Sequence, residues 1–169
     1  SVHPGGDISK HKTLENVGAT VRYSCGRHEN SPHPSFAYIP TEKDIYMLVA
    51  LFKHADVLVN HSSSTALESI IASTPVINVK YGKPLDWWNW RRSMVYRDFD
   101  QHYIDLLKDS PTYVALNRKQ LLQSMKRALG NPTEKQATRA KTLERMMTVT
   151  DGTASQKVLT QIKKSVTKR

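Results

Sequence analysis

His61, Ser62, Ser63, Ser64 and Thr65 stand in unbroken succession between an apolar run and the first apolar residues of a helix-period pattern. The start of a helix leaves backbone N–H groups without intrahelical partners and carries partial positive charge, so it attracts anions. Hydroxyls placed there can donate to phosphate oxygens. One N-cap needs one hydroxyl. Four hydroxyl residues in a row after a histidine exceed that need and predict a phosphate-binding turn. A well-capped helix that binds nothing is the plainer alternative. His61 itself reads either as a phosphate donor or as a packing residue at the end of a strand.

The elements that must position this turn are legible on both sides of it. Val57, Leu58 and Val59 form a short, β-branched-rich run, as expected of a strand covered on both faces in a parallel sheet. Ala66–Ala72 then reads as a helix with Leu67, Ile70 and Ile71 on its apolar face and Glu68 on another. Ser73 and Thr74 break it, Pro75 opens the next strand, and Val76, Ile77 and Val79 continue that strand. Strand, hydroxyl turn, helix and strand together make a βαβ unit.

Around that unit, strands and helices alternate. Short helices are predicted over Ile8–Val17 and Tyr103–Leu107, and strands over Thr20–Ser24, Phe36–Ile39 and Tyr113–Ala115. Gly26–Ser35 reads as a loop. Thr41, with Asp44 three residues on, starts a helix that runs to His54 and carries Ile45, Leu48, Val49 and Phe52 at helical spacing. Asn117 caps a helix to Leu129, ended by Gly130 and Pro132, and a further helix spans Thr133–Met147. After the Asp151-Gly152 turn, Ala154–Val166 is predicted to bury Val158, Leu159 and Ile162. The fold class is therefore α/β: a Rossmann-like parallel sheet flanked by helices, with a helical C-terminal tail. One domain over residues 1–169 is expected, with a Rossmann-like core at 1–116 and helices at 117–169. Because Val2, His3 and Pro4 read as the end of a strand and the turn leaving it, the chain is expected to be a fragment.

Composition narrows the function classes. The formal charge of +10 comes from 25 basic and 15 acidic residues, and many of the basic ones follow Arg118 on helix-patterned segments. Such residues are usually a solvated face. A peripheral contact with an anionic membrane surface is the second reading. Nucleic acid is disfavoured, because no aromatic residues alternate with the basic ones as stacking would require. No segment approaches the roughly 20 apolar residues of a membrane span, and SVHPGGD is no signal peptide. A soluble cytoplasmic protein, peripheral at most at the inner membrane face, is expected. The single Cys25 makes no internal disulfide. The seven histidines show no i, i+4 pairing with carboxylates, so no metal is expected. Apolar residues make up 38% of the chain, which predicts a thin core or a face covered by something else. Trp87, Trp88 and Trp90, followed by Arg91 and Arg92, would either stack a sugar or acceptor and meet its phosphate, or cover the sheet edge.

Taken in order, Tyr38-Ile-Pro, Asp44-Ile-Tyr through Ala55-Asp56-Val-Leu-Val, Ser62 to Glu68, Pro75-Val-Ile and the NPTEK and DGTAS turns resemble the nucleotide-binding C-terminal half of GT-B glycosyltransferases. The likeness is greatest to those that build bacterial surface polymers: CDP-glycerol transferases, sialyl and polysialyl transferases, and Kdo transferases of capsule assembly. The resemblance implies that His3 and Pro4 match an HP motif whose histidine contacts the donor phosphate, and that Ser62, Ser63, Ser64 and Thr65 receive the phosphates. It further implies that Glu68 accepts from the ribose hydroxyls and that the main chain of Tyr38, Ile39 and Pro40 meets the base. The implied ligand is a CMP-, CDP- or UDP-linked donor, with no other cofactor. The acceptor, and often the general base, would belong to an N-terminal acceptor domain, so no catalytic residue is named. A non-hydrolysing nucleotide-sugar epimerase and a binding-only module for nucleotides or polyanions are the competing expectations.

Overall fold

The computed structural model describes residues 7–22, 40–81, 101–149 and 151–166. The chain divides into two compact units, Ser1–Ala55 and Asp56–Arg169.

In the first unit, Ile8–Val17 is helical as predicted, but as a 3₁₀ helix. Asp7 caps it by accepting from Ser9 N at 3.0 Å. Gly18 ends it at φ 85°, a left-handed conformation that glycine adopts without steric cost. Thr20, Val21 and Arg22 have no regular structure, so this part of the predicted strand Thr20–Ser24 does not form. Its remainder, the loop Gly26–Ser35 and the strand Phe36–Ile39 lie outside the described residues. Helix α1, Glu42–His54, opens with a full capping box. Thr41 Oγ1 accepts from Asp44 N at 3.3 Å, and the Asp44 carboxylate accepts from Thr41 N at 2.8 Å. Phe52 is the buried residue of this helix.

The second unit carries β1 (Leu58–Asn60), α2 (Thr65–Ile71), β2 (Val76–Val79), α3 (Gln101–Leu107), β3 (Tyr113–Ala115), α4 (Arg118–Gly130), α5 (Gln136–Met146) and α6 (Ala154–Val166). The strands form one sheet in the order β1-β2-β3. Both pairings are parallel, with Asn60 opposite Asn78 and Asn78 opposite Val114. Because successive side chains alternate between the two sides of a strand, the sheet sends different residues to each. On one face Leu58 and Val76 meet Ala66 and Ile70 of α2, Tyr103, Leu106 and Leu107 of α3, and Leu143 and Met146 of α5. On the other, Ile77, Tyr113 and Ala115 meet Leu121, Met125 and Ala128 of α4. The predicted α/β architecture, a Rossmann-like parallel sheet between helical layers, is what forms.

Hydrogen bonds at the helix ends set the connections. Ser73 takes φ 64° after α2. Its N–H donates to Ile70 O, and that of Thr74 donates to Ser69 O, a Schellman closure with serine where glycine is usual. Asn117 caps α4, its side chain accepting from Gln120 N at 3.0 Å. The turn between α4 and α5 is held by the Arg127–Glu134 ion pair. The Tyr113 hydroxyl adds a bond to Glu134 at 3.1 Å. Burial, and then this bond, push the Tyr113 phenol above its ordinary range. Arg139 is only 3% exposed. It donates through Nη2 to Pro132 O at 2.8 Å, and burial pulls its pKa down. Helix α5 is tied back to α3 by Asp109, which takes Arg145 at 2.7 Å and Lys141 at 3.2 Å.

One packing expectation fails. Val158, Leu159 and Ile162 of α6 are exposed rather than buried, and no residue of that helix is buried.

Candidate functional site

Ligands of open α/β sheets gather beyond the carboxyl ends of the strands, and the hydroxyl turn leaves β1 at that edge. Residues 61–64 carry the chain from Asn60 into α2, whose first residue is Thr65. The structure sorts the four hydroxyls. Ser63 and Thr65 are turned into the turn itself: Thr65 Oγ1 lies 3.1 Å from Ser63 Oγ and 3.4 Å from Asn60 Oδ1. Ser63 Oγ also accepts from Thr65 N at 3.4 Å. Ser62 is half-buried and Ser64 exposed. Ser64 is the N-cap by position but its backbone is already helical rather than extended, and it makes no side-chain capping bond.

The N–H groups expected to be open at this helix start are partly used. Ala66 N donates to Ser63 O at 3.0 Å, and Leu67 N to Ser64 O at 2.9 Å. The site's bonding capacity thus lies more in side chains than in the helix end. His61 is half-buried, with its Nδ1 buried and lacking a hydrogen-bond partner. Glu68 is exposed. It stands four residues after Ser64, so the two share a helix face.

Beneath the turn lies a polar network that the sequence reading missed. Asn60 and Asn78 are register partners on adjacent strands, and both are buried. The Tyr103 hydroxyl, brought in by α3, donates to Asn78 Oδ1 and accepts from Asn60 Nδ2 at 3.4 Å. Asn78 Nδ2 donates to Thr112 Oγ1 at 2.7 Å. Asn60 Nδ2 also reaches Ser63 O at 3.2 Å, so the network grips the turn from below. The signal was present: asparagine is depleted in strands and mostly exposed, yet it interrupts both apolar runs at the same level of the sheet. Lys80, directly after β2, was also passed over. Its N–H continues the ladder to Ala115 O at 2.7 Å, which places a cation-bearing residue at the edge where β1 delivers the turn.

The remaining expected site residues divide by unit or lie beyond description. Pro40 is exposed, just ahead of α1 in the first unit. His3, Tyr38, Ile39, Trp87, Trp88, Arg91 and Arg92 lie outside the described residues. Among the described residues no cluster of histidine, cysteine and carboxylates has the makings of a metal site, and no helix is long and apolar enough to cross a membrane.

The sequence model of the family described as CDP-Glycerol:Poly(glycerophosphate) glycerophosphotransferase matches residues 26–164. Neither the curated proteins nor the solved structures contain a match.

Proposed function

This chain belongs to the CDP-glycerol:poly(glycerophosphate) glycerophosphotransferase family, and we propose that its second unit binds the nucleotide-linked donor of a transferase that builds a surface polymer. The observation that carries the proposal is the coincidence of that family match with a hydroxyl turn, braced by Asn60, at the carboxyl edge of a parallel sheet. In this reading the chain forms the donor half of a GT-B fold, and a separate domain presents the acceptor.

The chemistry named by the family differs from sugar transfer in one respect. When glycerophosphate leaves a CDP-linked donor, the acceptor oxygen attacks the phosphorus that bears the glycerol. The new P–O bond forms, the bridging P–O bond breaks, the acceptor proton passes to a base, and CMP leaves with the bonding electrons. Groups that hold the diphosphate therefore stand at the reacting centre as well as at the leaving group. Phosphoryl transfer depends chiefly on positioning and on donors that meet the spreading negative charge. Ser62, Ser64 and His61 are assigned to the diphosphate, Lys80 to its charge, and Glu68 to the ribose hydroxyls, whose hydrogens a carboxylate can accept. The family match favours this transferase over an epimerase.

A thermal-shift panel of CMP, CDP, UDP, GDP and CDP-glycerol tests the proposal, because a ligand that binds only the folded state raises the melting temperature by mass action. The cytidine compounds are expected to give the largest shift. Ser64→Ala with His61→Gln is expected to weaken binding roughly tenfold to a hundredfold, as the loss of a bond to a charged group implies. An undiminished shift in that double variant removes the assignment.

A further inference from the structure

Residues 61–64 belong to neither helix nor strand, so no regular ladder of backbone hydrogen bonds fixes the path of the hydroxyl turn. Asn60 fixes it from below. This last residue of β1 is buried, and its carboxamide carries two donor hydrogens and an acceptor on one short fork. Nδ2 donates to Ser63 O at 3.2 Å and to the Tyr103 hydroxyl at 3.4 Å, while Oδ1 accepts from Thr65 Oγ1 at 3.4 Å. The amide has one orientation. Ser63 O can only accept, and the single Tyr103 proton is spent on Asn78 Oδ1, so both neighbours require the Nδ2 side. Asn78 is anchored in turn, its Nδ2 donating to Thr112 Oγ1 at 2.7 Å. The clip therefore stands on β1, β2 and α3, and it holds the turn at two points, residues 63 and 65.

We infer that Asn60 is a positioning residue of the donor site: by holding residues 63 and 65 inward, it sets the alternate residues, Ser62 and Ser64, toward the diphosphate. The role rests on the donor-site reading and adds to it a residue that acts through others. Ser64 is exposed and Ser62 half-buried, in keeping with that alternation. A hydroxyl on a loose turn must be ordered when the ligand arrives, and that ordering is subtracted from affinity. A turn braced on rigid elements is ordered beforehand. Leucine at this position would continue the apolar run of Leu58 and Val59, but it would leave Ser63 O and Thr65 Oγ1 without this partner. A purely structural tie between β1 and α2 makes a different claim, since its loss lowers stability and leaves the affinity of the folded protein as it was.

Calorimetric titration of the full chain with CDP and with cytidine tests it, with the melting temperature of each variant read alongside. Asn60→Leu is expected to weaken CDP binding about tenfold, as the loss of a well-placed bond to a charged group implies. Cytidine, which has no phosphate, is expected to bind as before. A double-mutant cycle then asks whether Asn60 acts through the turn. Ser64→Ala is expected to cost about tenfold in the native background and less than about twofold once Asn60 is replaced, because a hydroxyl no longer held in place has little left to lose. Should Asn60→Leu show no melting transition, Thr65→Val cuts the same clip from its half-buried end and takes its place in the cycle. Additive losses, unchanged CDP affinity, or equal loss for CDP and cytidine overturn the positioning role and leave the donor site standing. Absence of CDP binding by the unaltered chain, or a Ser64→Ala variant that binds CDP as tightly as before, removes the donor-site reading and the positioning role with it.

Discussion

Removing the Tyr103 hydroxyl isolates the network under the hydroxyl turn. Tyr103 is 1% exposed and Asn78 3%, so bulk water has no access to replace what Tyr103→Phe removes. Asn78 Oδ1 becomes a buried acceptor without its donor, and such a group costs about 1–3 kcal/mol. Asn60 Nδ2 loses a long bond of 3.4 Å but keeps Ser63 O at 3.2 Å, so its share is small. The expected loss is therefore about 2 kcal/mol. With a urea slope of about 2 kcal/mol/M, this lowers the unfolding midpoint by about 1 M, read by circular dichroism. The network makes a sharper claim when both partners are removed. Asn78→Leu takes away the carboxamide, after which Tyr103→Phe orphans nothing on β2 and is expected to cost close to zero. The double-mutant cycle should return a coupling of about 1–2 kcal/mol. Additive effects, or a loss below about 0.5 kcal/mol for Tyr103→Phe alone, would show that the hydroxyl does not bind the two strands together.

Three other outcomes follow from the same fold. Ser73→Gly relieves a left-handed backbone at φ 64°, and is expected to stabilise the protein by about 0.5–1 kcal/mol after glycine's own entropy cost; a lower melting temperature refutes the account of the α2 terminus. Ile70→Ala opens a cavity at a fully buried position between α2, α3 and the sheet, for an expected loss of about 2–5 kcal/mol in urea unfolding. The third outcome concerns acid. The carboxyl of Asp109 is held low chiefly by Arg145, that of Glu134 by Arg127, that of Asp105 by Lys108, and that of Asp151 by Thr153. A carboxylate with a lowered native pKa contributes stability that is complete above its unfolded value, near 4, and is lost as the pH falls through the native one. Melting temperatures measured downward from about pH 5 should fall steadily, and Glu134→Gln should flatten the slope; an unchanged slope in that variant argues against the pair.

Much of the second unit was legible from its residues. The hydrophobic period placed β2, β3, α4 and α6 within a residue or so of where they lie, and Asn117 and the Thr41–Asp44 pair marked two helix starts correctly. Turn, cap and period are encoded within about a dozen neighbouring residues, so one stretch of chain carries the whole signal. The strand predicted at Thr20–Ser24 lacked such support: a β-branched run pairs only if a neighbouring strand meets it, and Thr20, Val21 and Arg22 are irregular.

The hydroxyl run marked the candidate site, but which hydroxyls face inward depends on Asn60, and Asn60 is held by a tyrosine 43 residues away in sequence. That partnership exists only because strand register sets Asn60 beside Asn78 and α3 lays Tyr103 across both. The uncovered face of α6 is of the same kind. Its amphipathic pattern was plain in the sequence, and a pattern states that a face is apolar without stating what lies against it. The residues by themselves determined the order of strands and helices, the phosphate-suited turn and the excess of basic charge. The tertiary structure alone decided which polar groups are spent on one another and which apolar surface stays open, because hydrogen-bond partners and burial are set by contacts between distant parts of the chain.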